Sequence, residues 1–231
     1  RTKDVIRSSV TSVNRPVART TADPTLQAIV DKWNAIAAPI SNRPVGSITA
    51  DIKRSVTRDT ESSLGDLIAD AQLARTSANG AQLALMNPGG VRADLAYAGS
   101  NAGEGDGNVT YGEAFLVQPF ANLLVTMTLT GAQIEKVLEQ QWTEIKDTQG
   151  NVTSVRFLHL GVSNGLTYSW SASGKVGDKI DPATIKLNGV TLDPAATYRV
   201  TVNSFLADGG DGFLELRNGT NRTGGGVDLD E

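Results

Sequence analysis

The run Tyr198-Arg-Val-Thr-Val202 alternates apolar with polar residues and leads directly into Asn203-Ser-Phe-Leu-Ala-Asp-Gly-Gly-Asp-Gly-Phe213. A period of two reads as a strand, with Tyr198, Val200 and Val202 on one face and Thr201, Asn203 and Phe205 on the other. Gly209, Gly210 and Gly212 surround Asp211, and glycine permits positive φ and close approach of backbone to a ligand. The strand therefore ends in a tight turn, and two readings of that turn stand. In one, Phe205 and Phe213 are core residues beside a plain turn. In the other, the strand-end aromatic and the turn carboxylate hold something flat that carries hydroxyls.

The chain has 231 residues, which suits one large domain or two small ones and is ample for a core. Residues 1–22 are rich in Arg, Ser and Thr, show no period, and read as an extended lead-in. Asp23-Pro24 is a helix start, with Asp as N-cap and Pro at N1. Leu26, Ile29, Val30, Trp33, Ile36 and Ala37 then share one face, and Pro39 and Pro44 end the helix. Val45 to Ile52 reads as a strand. Arg54 and Arg58 follow, four residues apart, and on local pattern alone are solvated side chains. Ser62 or Ser63 caps a second helix with a stripe of Leu64, Leu67, Ile68 and Ala71, its Asp66 and Asp70 facing outward or capping neighbours.

Gln82 to Met86 is a short buried strand. Asn87-Pro-Gly-Gly-Val-Arg92 follows it, a glycine turn of the kind that presents backbone N–H groups to ligands, although it is neither a Walker loop nor GxGxxG. Residues 99–108 form a glycine-rich surface loop whose spacing does not fit an EF-hand. Thr110-x-x-Glu113 and Thr130-x-x-Gln133 are capping boxes. The second opens an amphipathic helix bearing Ile134, Val137, Leu138 and Trp142. Between the two boxes, Gln118-Pro-Phe120 leads into a strand from Leu123 to Leu129. Beyond a turn at 146–151 strands dominate. Leu166, Tyr168 and Trp170 alternate, Asn188-Gly189 is a hairpin signal, and the Gly- and Thr-rich segment from Gly219 reads as a frayed tail. Helices interspersed with strands and a late hairpin predict an α+β domain with a mixed sheet.

Composition removes several classes. A net charge of -4 argues against a nucleic-acid polymer as the main partner. No apolar run approaches the ~18 residues of a membrane span. There is no Cys, so disulfides and thiolate chemistry are excluded. The single His, His159 between Leu158 and Leu160, reads as a strand residue. A metal hydrolase needs several His and Asp ligands, so neither a metal centre nor a His-containing triad can be written from these residues. The chain begins at Arg1 without Met or signal peptide and reads as a piece of a longer protein.

Six stretches in order resemble the C-terminal, substrate-binding domain of the 5′-nucleotidase family. They are Arg54-x-x-x-Arg58, Ser63-Leu-Gly-Asp-Leu-x-x-Asp-Ala71, Asn87-x-Gly-Gly-Val-Arg92, Gln118-Pro-Phe-x-Asn122, Leu129-Thr-Gly131 and Asn203-x-Phe-x-Ala-x-Gly-Gly-Asp-Gly212. The resemblance implies that 45–231 is this domain, an α+β fold, and that 23–44 is the inter-domain linker helix. It implies that Phe120 and Phe205 sandwich a base, a contact worth roughly 1–3 kcal/mol per base. Asp211 is then the ribose hydroxyl acceptor, Asn87 a contact to the base edge, and Arg54, Arg58 and Arg92 a cationic cluster near ribose and phosphate, where the planar guanidinium bonds in pairs. The sequence departs from the family pattern at Pro88, at Asp208 and in a longer Gly99–Asn108 loop. The family's metallophosphoesterase domain, with two divalent metal ions and a catalytic His, has no counterpart in this chain. The expectation is the nucleoside-holding half of an exported 5′-nucleotidase-like phosphohydrolase, inactive alone. The alternative expectations are, within the family, a UDP-sugar hydrolase or 2′,3′-cyclic nucleotide phosphodiesterase substrate domain and, outside it, a non-catalytic nucleotide-binding surface module.

Overall fold

A computed structural model of the protein describes residues 5–18, 21–100 and 103–228. It divides into two compact units, Arg1–Pro39 and Ile40–Glu231. In the first, the lead-in carries one 3-10 turn at Arg7–Ser9. Asp23 Oδ1 accepts from the N–H of Thr25 at 2.8 Å and of Leu26 at 3.2 Å, capping helix α1 (Pro24–Ser41). Its apolar stripe of Leu26, Ile29, Trp33 and Ile36 is exposed. The helix runs through Pro39 to Ser41, because one backbone bond lost in a last turn does not end it. It stops short of the expected 44, where Pro44 already opens a strand.

The second unit contains, in chain order, β1 (Pro44–Ser47), α2 (Ser63–Thr76), β2 (Leu83–Met86), β3 (Asn108–Thr110), α3 (Tyr111–Val117), β4 (Leu123–Thr130) and α4 (Gly131–Glu139). There follow β5 (Trp142–Lys146), β6 (Val152–Phe157), β7 (Gly161–Val162), β8 (Leu166–Thr167), β9 (Trp170–Lys175) and β10 (Asp178–Ile180). The chain closes with β11 (Lys186–Leu187), β12 (Val190–Thr191), β13 (Thr197–Asn203), α5 (Ser204–Ala207) and β14 (Thr220–Val227). The main sheet has the order β14-β4-β13-β2-β7. Strands β13 and β2 run parallel and the other neighbours antiparallel, so the sheet is mixed and the unit α+β.

Alternation along the strands sorts the two faces. Leu83 and Leu85 join Met127, Leu129, Val200 and Val202 under Ile134, Val137 and Leu138 of α4. Ala84 and Met86 turn the other way, onto Leu64, Ile68 and Ala69 of α2 with Val91 and Val117. Burying each large aliphatic side chain contributes about 1.5–3 kcal/mol. On the α2 side the buried Thr201 hydroxyl lies 2.7 Å from that of Thr76 and 2.8 Å from that of Thr126, so three polar side chains satisfy one another.

Both capping boxes form, at Thr110 with Glu113 and at Thr130 with Gln133. Asn188 and Gly189 take φ of 52° and 80°, the backbone a two-residue hairpin between β11 and β12 requires. Several elements depart from expectation. The Val45–Ile52 strand is β1 plus a single bridge from Ile52 to Leu95. Trp142 begins β5 rather than ending α4. Leu67 is exposed, and the buried side of α2 is Leu64, Gly65, Ile68, Ala69, Gln72 and Thr76. The segment from Gly219 is an edge strand rather than a tail. A Cβ at Gly225 would stand 2.6 Å from Thr76 Cγ2 and 2.9 Å from Leu124 Cβ, so the missing side chains let β14 close onto β4. In the 99–108 loop, residues 101–102 lie outside the described residues, and β3 takes its last residue.

Candidate functional site

The loops after β2, α3 and β13 meet over a cavity of about 250 Å³. The first is Asn87-Pro-Gly-Gly90, a 3-10 turn following the buried strand. A Cβ on Gly90 would stand 2.5 Å from Met86 Cε, and one on Gly89 would stand 3.3 Å from Asp211 Oδ2. Glycine leaves room there for the Met86 and Asp211 side chains to lie directly against the loop backbone. Arg92 is held by its own N–H on the Val117 carbonyl at 2.8 Å. Its guanidinium lies 5.9 Å from the Phe120 ring centroid, a cation-π distance. Phe120 itself lies beyond α3, just before Ala121 with φ of 51°.

The third loop carries Phe205 on α5 and Asp211 in the turn Gly210–Gly212. A Cβ on Gly210 would fall 2.4 Å from Phe205 Cε1, so the ring rests on bare backbone. Asp211 has φ of 56°, a left-handed conformation that Asp tolerates better than most residues. Its Oδ2 accepts from Asn87 Nδ2 at 2.9 Å, and its carbonyl accepts from Arg156 Nη2 at 3.0 Å. Phe120 and Phe205 are 52% and 46% exposed while Phe213 is 0% exposed. This separates the two readings of the turn: Phe213 is core, and Phe205 faces the cavity.

Arg58 enters from the loop before α2. Its φ is 68°, its N–H bonds Ser55 Oγ at 3.0 Å, and its carbonyl accepts from His159 N at 2.8 Å. The structure thus gathers Arg58, Asn87, Arg92, Phe120, Phe205 and Asp211 around one cavity, and Asn122, Gly89 and Gly90 line it as well. Asn122 was not singled out, although it closes the Gln118-Pro-Phe-x-Asn122 stretch. Arg54 is not brought in. Its N–H bonds Asp94 Oδ1 at 3.0 Å and its Nε lies 3.8 Å from the same oxygen, which ties it to the loop after Arg92. Asn87 is 4% exposed and bonded at both ends of its amide, so it is a wall of the cavity more than an arm into it.

A second cavity of about 240 Å³ is lined by Glu61, Asp66, His159, Tyr168 and Trp170 among others. His159 lies between β6 and β7 rather than in a strand, stacked on Phe157 at 5.3 Å. Burial holds its pKa below the usual imidazole value. Burial also raises the Asp66 carboxyl to about 6 and the Tyr168 hydroxyl to about 12. Of the two readings of Asp66, the capping one holds, since its Oδ1 accepts from Val162 N at 3.0 Å. Among the described residues, no group of three or more His, Cys, Asp or Glu side chains is placed to hold a metal ion.

Residues 44–216 match the family model "5'-nucleotidase, C-terminal domain". The chain is 32% identical over 200 residues to the trifunctional nucleotide phosphoesterase protein YfkN of Bacillus subtilis, covering 84% of this chain and 12% of that protein. It is 32% identical over 181 residues to the cell wall protein Lmo0130 of Listeria monocytogenes, covering 77% and 21%. A crystal structure of the 5′-nucleotidase precursor of Thermus thermophilus superposes with a TM-score of 0.69 at 31% identity, over 89% of this chain and 38% of that one. The chain therefore spans well under half the length of each of these relatives. The matched 44–216 segment, with its mixed sheet and its order of motifs, makes this chain a member of the 5′-nucleotidase family, of which it carries the C-terminal domain.

Proposed function

We propose that this domain is the nucleoside- and nucleotide-holding half of an exported, metal-dependent 5′-nucleotidase-like phosphohydrolase. The observation that carries the reading is the cavity itself: two half-exposed phenylalanines, a carboxylate in a glycine turn, and the guanidinium groups of Arg58 and Arg92 share one space. Aromatic faces stack on bases, a carboxylate accepts from vicinal ribose hydroxyls, and paired guanidinium donors suit phosphate. In this reading the two divalent ions would be held by a metallophosphoesterase domain that this sequence does not include, and would supply the activated water and charge stabilisation that hydrolysis needs, while the residues of this chain hold the nucleoside. The phosphoesterase name of YfkN and the 5′-nucleotidase name of the Thermus protein support the activity. The cell-wall name of Lmo0130 supports export, and no helix among the described residues is long and apolar enough to cross a membrane.

Calorimetric titration of the chain with adenosine and AMP, followed by a phosphate-release assay with added divalent metal, tests the proposal. Binding without release is expected. Metal-dependent release that co-purifies with the chain and vanishes in Asp211→Ala without loss of fold would overturn the division of labour. The Lmo0130 match also favours a second reading, a surface module without catalysis, and absence of heat with any of several nucleosides would support it.

A further inference from the structure

We infer that Asn203, which does not line the cavity, is the positioning residue that orients the Asp211 carboxylate for ribose hydroxyls. The inference rests on the nucleoside reading of the cavity and adds a direction to its hydrogen bonds. Asn203 is 1% exposed and is the N-cap of α5, so its Oδ1 accepts the N–H of Leu206 at 2.9 Å. A backbone N–H can only donate, which leaves no freedom in how this amide lies. Its Nδ2 must then face Asn87, where Oδ1 accepts it at 2.9 Å. With that oxygen engaged, Asn87 turns its own Nδ2 to Asp211 Oδ2 at 2.9 Å.

One backbone donor thus sets the polarity of three side chains in series. Asp211 receives a donor on Oδ2 while Oδ1 takes no side-chain bond among the described residues. Arg156 steadies the same residue from its carbonyl side. The relay packs against glycine backbone. Cβ atoms at Gly89 and Gly90 would fall 3.3 Å from Asp211 Oδ2 and 3.1 Å from Asn87 Oδ1. The bonds join positions 116 and 124 residues apart in the chain.

Asn203→Asp is the informative variant. One carboxylate oxygen still caps Leu206, but the other now faces Asn87 as an acceptor. Either it meets Asn87 Oδ1, or Asn87 reverses and sets its oxygen against Asp211. At pH 7.5 the loss expected for adenosine is about 10- to 100-fold in Kd, as for one buried polar group left facing a like partner. Lowering the pH protonates residue 203, whose carboxyl burial holds above the ordinary range. Its O–H then donates as the amide did, and affinity at pH 5 returns to within a few-fold of wild type. A ligand that lacks the vicinal 2′ and 3′ hydroxyls, 2′,3′-dideoxyadenosine, loses less than about threefold at either pH.

Titration of both ligands at both pH values on the 231-residue chain and on Asn203→Asp tests this. No loss for adenosine, an equal loss for both ligands, or a loss that acid does not reverse would overturn the relay. Should Asn203→Asp not fold, Asn87→Asp places the same acceptor clash one step nearer Asp211. The same hydroxyl-selective, acid-reversible loss is expected of it, and its absence is equally fatal. A wild-type chain that binds neither ligand would instead sink the nucleoside reading, and the role given to Asn203 with it.

Discussion

At the scale of single residues, the turn after β13 shows how little a residue type says about its role. Phe205 and Phe213 lie eight positions apart around the same glycines, yet one is 46% exposed and the other fully buried. Phe205→Ala or Phe120→Ala is expected to weaken nucleoside binding by about 1–3 kcal/mol each while leaving the melting temperature nearly unchanged. Phe213→Ala is expected to cost about 3–5 kcal/mol of stability, read as a fall in the urea midpoint. Asp66 makes a pH-dependent case. Its ordinary value of 3.8 is raised to about 6 by burial, with Glu61 and Asp70 adding to the rise. Between those values the folded chain holds a proton that the unfolded chain has released, so stability falls as pH rises through the window. Asp66→Asn keeps the acceptor for Val162 and removes the charge. It is expected to stabilise by about 1 kcal/mol at pH 7.5, once screening at a half-buried site is allowed for. The gain should shrink below pH 6 and be gone near pH 4. Thermal melts of both proteins across that range check it, and a gain that is flat with pH would contradict the assignment.

At the scale of elements, helix starts and the hairpin were readable because their determinants are local. A Thr side chain and an acidic or amide side chain three residues on satisfy each other across one turn, and Asn188-Gly189 supplies two positive φ angles in succession. The missed elements depend on partners distant in sequence. Strand β14 exists because Gly219 and Gly225 let it lie against Met127 and Leu124, and a run of Gly and Thr carries no period of its own. The same close approach joins α2 to β7. A Cβ at Gly161 would stand 2.5 Å from the Gly65 carbonyl carbon, and backbone on both sides cannot yield as a side chain would. Gly161→Ala is therefore expected to cost about 1–3 kcal/mol. Gly46→Ala, with nothing within 4 Å, should stay within about 0.5 kcal/mol. Chemical denaturation of the pair decides the matter, and equal midpoints would remove the argument.

At the scale of the whole molecule, a ligand that binds only the folded state raises stability by mass action, about 2.7 kcal/mol at a hundredfold excess over Kd. Adenosine is expected to raise the melting temperature of the chain by an increment that Phe205→Ala lessens and Gly46→Ala does not. An equal increment in all three would place the ligand away from the cavity. The sequence by itself determined the pieces: caps, turn types, strand alternation, the α+β class, and by its ordered motifs the family. These rest on φ preferences and side-chain bonds spanning a few residues, which a chain carries wherever it goes. Only the tertiary structure decided which arginines line the cavity. Arg58 is swung in by a positive φ and bonds to Ser55 and His159, while its neighbour Arg54 is drawn off by Asp94. It also decided that Asn87, Asn203 and Asp211 meet, since that contact exists only once β13 lies parallel to β2 at the centre of the sheet. Register between strands more than a hundred residues apart is set by burying both faces at once, and no window of sequence contains both partners.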